Sequence, residues 1–272
     1  MKKLLFVATI ALMLFSVSAF AETIDLTTGG QGTATAALGG TYISKWSAAQ
    51  PTGTGYIDPF LRINNPGNQG TSEEGYNVDC PNSASCPLND IAGKWTRSIT
   101  IQNIPTVTIN GVVYREFFLD VNQTSSNPKI SLNQVQIFLS NSPAPLTLTA
   151  SAASSNAAAV LSFPGATEVF RMSSGNNSAI DVIQMDYSLN SGSGSGDMLF
   201  YVRDSLFSGF AGTTYLTLYS QFGTPSGTFA SNDGFEEWAL RPGNQVPSPE
   251  PVSLLLLGTG LVGVVAAKRR TR

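Results

Sequence analysis

The chain has 272 residues, of which 42% are hydrophobic and 12% charged, with a formal net charge of −3 and no histidine. The missing histidine excludes Ser-His-Asp and Cys-His catalysis within this chain, along with histidine-based zinc, copper and non-haem iron sites. With two lysines at the N-terminal end and four basic residues at the C-terminal end set aside, nine basic residues face 18 acidic ones, a net charge near −9 that disfavours nucleic acid and anionic membrane surfaces as partners.

The chain begins MKKLLFVATIALMLFSVSAFA. Lys2 and Lys3 precede an apolar run from Leu4 to Val17, and Ala19-Phe20-Ala21 forms an A-x-A cleavage signal before Glu22. Positive start, apolar core and small-residue site together predict a secretory signal peptide over residues 1–21. An uncleaved signal anchor is the other reading. Residues 22–243 then form a secreted domain, long enough for one large all-β unit or two small ones.

Residues 22–97 are irregular in pattern, with a strand expected around Tyr56 to Ile63. NNPGNQGTSEEGYNVDCPNSASCPLND reads as a long loop pinned by a disulfide between Cys80 and Cys86. An even cysteine count in an exported chain favours pairing. The spacing is wrong for a zinc knuckle.

Period-two patterns dominate from residue 98 onward. In PTVTINGVVYREFFLDV, Asn110-Gly111 separates two β-rich runs and supplies the positive φ angles of a type I′ hairpin turn. NQVQIFL places Val135, Ile137 and Leu139 on one face. DVIQMDYSL puts Ile183, Met185, Tyr187 and Leu189 on one side and Gln184, Asp186 and Ser188 on the other, the alternation of a half-buried strand. PLTLTA, MLFYVR and TTYLTLYSQF continue the pattern, and Ser191-Gly-Ser-Gly-Ser-Gly196 marks a loop. Many short strands between turn signals predict an all-β, antiparallel, jelly-roll-like β-sandwich.

Residues 244–251 form a linker that carries Pro249-Glu250-Pro251, and residues 252–267 are uncharged. As a helix that segment spans about 24 Å at ~1.5 Å per residue, short but adequate for a bilayer core of about 30 Å. Lys268, Arg269, Arg270 and Arg272 follow in the basic end, residues 268–272. Such a cluster stays cytoplasmic, so the segment is expected to be a single transmembrane helix with its C-terminus inside. Gly258-Thr-Gly260-Leu-Val-Gly263 matches G-x-G-x-x-G but lacks the βαβ context and downstream acid of a dinucleotide site.

The order Pro249-Glu250-Pro251, then VSLLLLG and its apolar continuation, then the arginines, resembles a PEP-CTERM sorting signal. That resemblance covers about 25 residues. It implies a Gram-negative producer of exopolysaccharide and a membrane enzyme, an exosortase, as processing partner. It also implies passage through the inner membrane before release to the envelope, surface or matrix. GTGYIDPFLRI, EEGYN, LDVNQ with ISLNQVQIFLS, GSGSGDM, and YLTLYSQFG with SNDGFEEWAL are similar to segments of exported β-rich proteins that carry this tail. No catalytic residues come with that likeness.

Carboxylates are the remaining catalytic option. A glycosidase needs two acids across a cleft. Glu236 and Glu237 are sequence neighbours and point to opposite faces of a strand, so they do not form that pair together. A distant pair such as Asp181 with Glu237 stays open, and the structural reading of these acids is exposed strand or loop positions. Asp197 and Asp233 are weak calcium candidates in loops, against ordinary turn-forming roles. Trp46, Trp95 and Trp238 could stack on sugar rings or fill the core. Thr106-x-Thr108 and Thr147-x-Thr149 are isolated pairs, not the regular array an ice-binding face needs.

The sequence thus predicts a non-enzymatic, exported protein of the cell surface or extracellular matrix, without a required cofactor. A module that binds exopolysaccharide is the alternative, and a carboxylate-dependent glycan hydrolase the third reading.

Overall fold

The computed structural model describes residues 23–28, 36–37, 42–46, 57–64, 72–145, 149–151, 160–173, 181–224, 227–232 and 234–241. The N-terminal segment with Ala19 and Ala21, Asp233, Pro249-Glu250-Pro251, the 252–267 segment and the basic end lie outside the described residues. Among the described residues no helix is long and apolar enough to cross a membrane.

Two sheets contain most of the strands. The first runs β1 (Thr23–Asp25), β13 (Val182–Asp186), β9 (Lys129–Ser140), β15 (Tyr215–Phe222), β5 (Glu73–Tyr76). In the same sheet β12 (Thr167–Arg171) also pairs with β9, and β6 (Ile99–Thr100) with β15. The second runs β2 (Ala36–Ala37), β3 (Tyr42–Trp46), β14 (Met198–Arg203), β8 (Val112–Asp120), β16 (Glu236–Leu240), β4 (Asp58–Ile63), with β7 (Thr106–Ile109) also on β8. A separate ribbon joins β10 (Thr149–Ser151) to β11 (Val160–Ser162).

The all-β, two-sheet expectation holds. Its purely antiparallel form does not, because β1 lies parallel to β13. The two strands are far apart in sequence, and a long connection lets a strand enter in either direction, whereas a tight hairpin forces the antiparallel one.

Alternation explains the core. Ile137, Leu139 and Leu218 of the first sheet pack against Phe117, Leu119, Phe200 and Trp238 of the second in one continuous cluster. The outer faces are not simply wet. Tyr76, Phe138, Phe163 and Tyr219 form a second cluster, against which Cys80 and Leu88 pack. Hence the disulfide loop, closed by Cys80–Cys86 as expected, lies over the outer face of the first sheet. On the outer face of the second, Tyr114, Phe118, Leu199, Tyr201 and Ala239 cluster in turn.

With both faces covered, polar residues on the outer face need internal partners. Gln136 exchanges two bonds with Leu161, the Leu161 amide donating to Oε1 at 2.9 Å and Nε2 to the carbonyl at 3.3 Å. Gln134 does the same with Ser173, at 3.0 Å both ways. Asn77 accepts from the Leu218 amide at 2.6 Å and donates to the Leu216 carbonyl at 2.9 Å. Each side-chain amide stands in for a peptide group and extends the ladder where no strand is present.

The Asn110-Gly111 hairpin forms as expected, with φ angles of 50° and 78° and Ile109 opposite Val112. Two other expectations need correction. The long loop after Ile63 contains β5, whose Gly75 packs directly against Ile63 and Asp90. The strand expected through Leu189 stops at Asp186, because the Asp186 carboxylate accepts the Ser188 amide at 2.9 Å and starts a 3₁₀ turn over Tyr187–Leu189.

Candidate functional site

The chemistry-bearing residues converge on β16. Alternation sends Glu236 to the same side as Trp238 and Leu240, which belong to the core between the sheets, and Glu237 to the side of Ala239. Opposite orientation was expected; exposure was not met. Glu236 is 0% and Glu237 2% exposed. The reason is position, since β16 is flanked by β8 and β4 and covered on both faces.

Glu73 of β5, which comes from the other sheet, is buried as well and is the largest charge acting on Glu236. Gln123 donates to Glu236 Oε1 at 2.6 Å. Burial is the largest influence on Glu236 and pushes its carboxyl well above the usual carboxylate range; the charge of Glu73 pushes the same way, and the Gln123 bond opposes it. Two buried acids acting on one another disfavour a second negative charge.

Glu237 has a cation. Arg62 reaches its Oε1 with Nε at 2.7 Å and Nη2 at 2.6 Å. The Arg62 guanidinium lies over the rings of Trp95, at 4.7 Å, and Phe235, at 4.5 Å. Burial still raises Glu237, with Arg62 pulling against it.

A second acid pair, Asp120 and Asp197, organises the Ser/Gly loop. Asp120 accepts the amide protons of Gly194 at 2.8 Å and Gly196 at 2.7 Å. Asp197 Oδ2 accepts from Val121 N–H at 2.9 Å. Burial dominates both acids and raises both. Gly196, at φ 72°, fits under Phe118; a Cβ there would sit 1.6 Å from Phe118 Cζ.

Asp197, one of the two calcium candidates, is thus 2% exposed and bonded to the backbone of the neighbouring strand end. Among the described residues no group of three or more acidic, cysteine or histidine side chains is arranged to hold a metal ion.

The tryptophans have structural work. Trp238 is fully buried, donates to Ser220 Oγ at 2.9 Å and packs edge-on against Phe200. Trp95 holds Arg62, and Lys94 also lies over its ring at 4.1 Å. The Trp46 side chain lies outside the described residues. A cleft of about 390 Å³ near the end of β16 is lined by Asp58, Arg97, Gln102, Asn103 and Arg241, among others. Its two guanidinium groups are already engaged, Arg97 by Asp58 at 2.7 Å and Arg241 by both oxygens of Glu116 at 2.6 and 2.5 Å.

Sequence reading singled out Glu236 and missed Glu73 and Gln123. A signal for burial existed: in EEWAL, Glu236 shares its parity with Trp238 and Leu240. Nothing local paired it with Glu73, 163 positions earlier by residue number.

The fold and this cluster of buried acids define a two-sheet all-β protein. Compared with known proteins, the chain matches no family model, no curated protein and no solved structure.

Proposed function

We propose that this chain is an exported, non-enzymatic protein of the cell surface or extracellular matrix, sorted through its C-terminal segment. The observation that carries the reading is the order of Pro249-Glu250-Pro251, the uncharged residues 252–267 and the cluster Lys268 to Arg272, combined with the signal-like N-terminal segment. An exosortase is the partner that such an order implies. Exposed outside the cell, the domain would sit among exopolysaccharide. The Cys80–Cys86 disulfide supports export, since such bonds persist in oxidising compartments. The burial of Glu73, Glu236 and Glu237 supports a non-enzymatic role, because a substrate does not reach a carboxyl group sealed in the core.

We read the sandwich as jelly-roll-like. Its support is the alternation of late strands between sheets: β13 and β15 flank β9 in the first, while β14 and β16 flank β8 in the second.

Deleting residues 249–272 in the producing cell and fractionating it tests the sorting. The expected result is a full-length protein that matures to a shorter, external form and a truncated one that is neither processed nor retained at the membrane on the way. Identical location and processing of the two would refute the proposal.

A further inference from the structure

One end of the second sheet opens into the cleft of about 390 Å³, where the start of β4, the end of β16 and the chain that leads into β7 come together. Its polar lining is Asp58, Arg97, Gln102, Asn103 and Arg241, and Pro105 and Leu240 add apolar surface. We propose that this cleft binds an uncharged, hydroxyl-rich ligand, a sugar residue of a neutral glycan.

Charge balance excludes the usual occupants of a site with two arginines. Arg241 donates to both oxygens of Glu116, at 2.6 and 2.5 Å, and Arg97 donates to Asp58 Oδ2 at 2.7 Å. Two cations against two anions leave no surplus positive charge for a phosphate, sulfate or uronate to neutralise. A metal ion fares no better. It needs several oxygen ligands, and Asp58, the carboxylate of the lining, already holds a cation.

What the cleft offers instead is hydrogen-bonding capacity without net charge. Asn103 Oδ1 accepts from the Thr100 amide and hydroxyl, both at 2.8 Å. Those bonds fix the side-chain amide and leave Nδ2 as a donor with no partner among the described residues. The Gln102 side chain is exposed and has no partner there either, while its backbone N–H is pinned to the Gly212 carbonyl at 2.9 Å. Asp58 gives Oδ2 to Arg97 and keeps Oδ1 as an acceptor. A sugar hydroxyl is donor and acceptor at once, so neighbouring hydroxyls on one ring can use a donor and an acceptor placed together. Pro105 and Leu240 give the ring C–H groups a surface to cover. The lining contains no aromatic ring, so hydrogen bonds carry the affinity. The ligand class follows from the cleft alone; that the glycan is the producer's exopolysaccharide rests on the exported, surface reading above.

NMR saturation-transfer titrations of the full-length protein, in a detergent without a sugar headgroup, test this with maltotriose, cellotriose and mannotriose, and with trigalacturonate as the charged probe. At least one neutral trisaccharide should bind saturably and more tightly than trigalacturonate. N103D exchanges a donor for an acceptor and keeps Oδ1 for Thr100. Q102A removes an exposed amide that the fold does not use. Each should weaken the neutral sugar about fivefold or more, the loss of one hydrogen bond. D58A releases Arg97 and should reverse the preference towards trigalacturonate. W95F should leave binding as it was, which separates the cleft from the Trp95 ring. The proposal is overturned by no binding of any neutral probe, by a wild type that prefers trigalacturonate, by N103D and Q102A that bind as the wild type does, by D58A without the reversal, or by loss of binding in W95F. Such a failure beside a sorting experiment that succeeds removes the cleft alone. Neutral-sugar binding by a chain that cells neither sort nor process removes the sorting alone.

Discussion

Asp120 Oδ1 accepts the amide proton of Gly196 at 2.7 Å, across 76 positions of sequence. With the bond from Gly194 to Oδ2, one buried carboxylate closes a polar loop over the outer face of the second sheet. The loop approaches so closely because Gly196 has no Cβ to strike Phe118. G196A is expected to lose about 2–4 kcal/mol from steric conflict and its positive φ. D120A leaves two buried amides unbonded, at about 1–3 kcal/mol each. Urea unfolding followed by tryptophan fluorescence checks both; a change within experimental error in either would show that the loop does not clamp the sheet.

Arg62 is an ion-pair partner and a packing element together. R62A strands the buried Glu237 carboxylate, and removes the cation held over Trp95 and Phe235. A loss of about 3–5 kcal/mol is expected, the range for breaking a buried pair from one side. The double variant R62A/E237A should recover part of that loss in the same unfolding assay, because no unpaired charge is left behind.

Asp90 gives the fold a pH dependence near neutrality. Burial raises its carboxyl to about 7 from 3.8, opposed by bonds from the Tyr76 and Leu88 amides and assisted by the charge of Glu74. Its folded value lies above its unfolded one, so the folded state binds the extra proton. The stabilisation is complete below about pH 4 and disappears as pH rises to about 7. Melting temperature should fall across that window in the wild type, and D90N should flatten this portion of the curve. A wild-type profile that rises between pH 4 and 7 would contradict the assignment.

The Cys80–Cys86 bridge closes a small loop, with a sequence separation of 6. Chain entropy alone gives it about 2 kcal/mol. Cys80 also packs beside the Tyr76, Phe138 and Phe163 cluster, so C80S should cost more than C86S. Denaturation of the two single variants, each with its remaining thiol blocked, measures the difference; equal losses would mean that the loop adds only its closure.

Local chemistry was enough for much of the architecture. The turn at Asn110-Gly111 follows from two positive φ angles that few residues adopt. Val135, Ile137 and Leu139 announce a strand face through their spacing alone, and all three lie in the core between the sheets. The cysteine pair was legible from count and context. Elsewhere a local bond overrode the pattern, as where Asp186 capped a 3₁₀ turn and ended a strand that periodicity would have carried to Leu189.

Burial of the polar residues was not legible in the same way. Gln134, Gln136 and Asn77 look like solvent-facing positions in sequence, and become internal only because a ribbon and a disulfide loop cover the first sheet. The sequence by itself determined the strand spacing, the turn and the sulfur bridge, because each rests on interactions between near neighbours in the chain. Only the tertiary structure decided that Glu73 acts on Glu236, that Arg62 answers Glu237, and that Asp120 holds a distant loop. Those relationships join residues far apart in the chain, and whether a carboxyl group is a solvated charge or a buried acid depends on what else is folded around it.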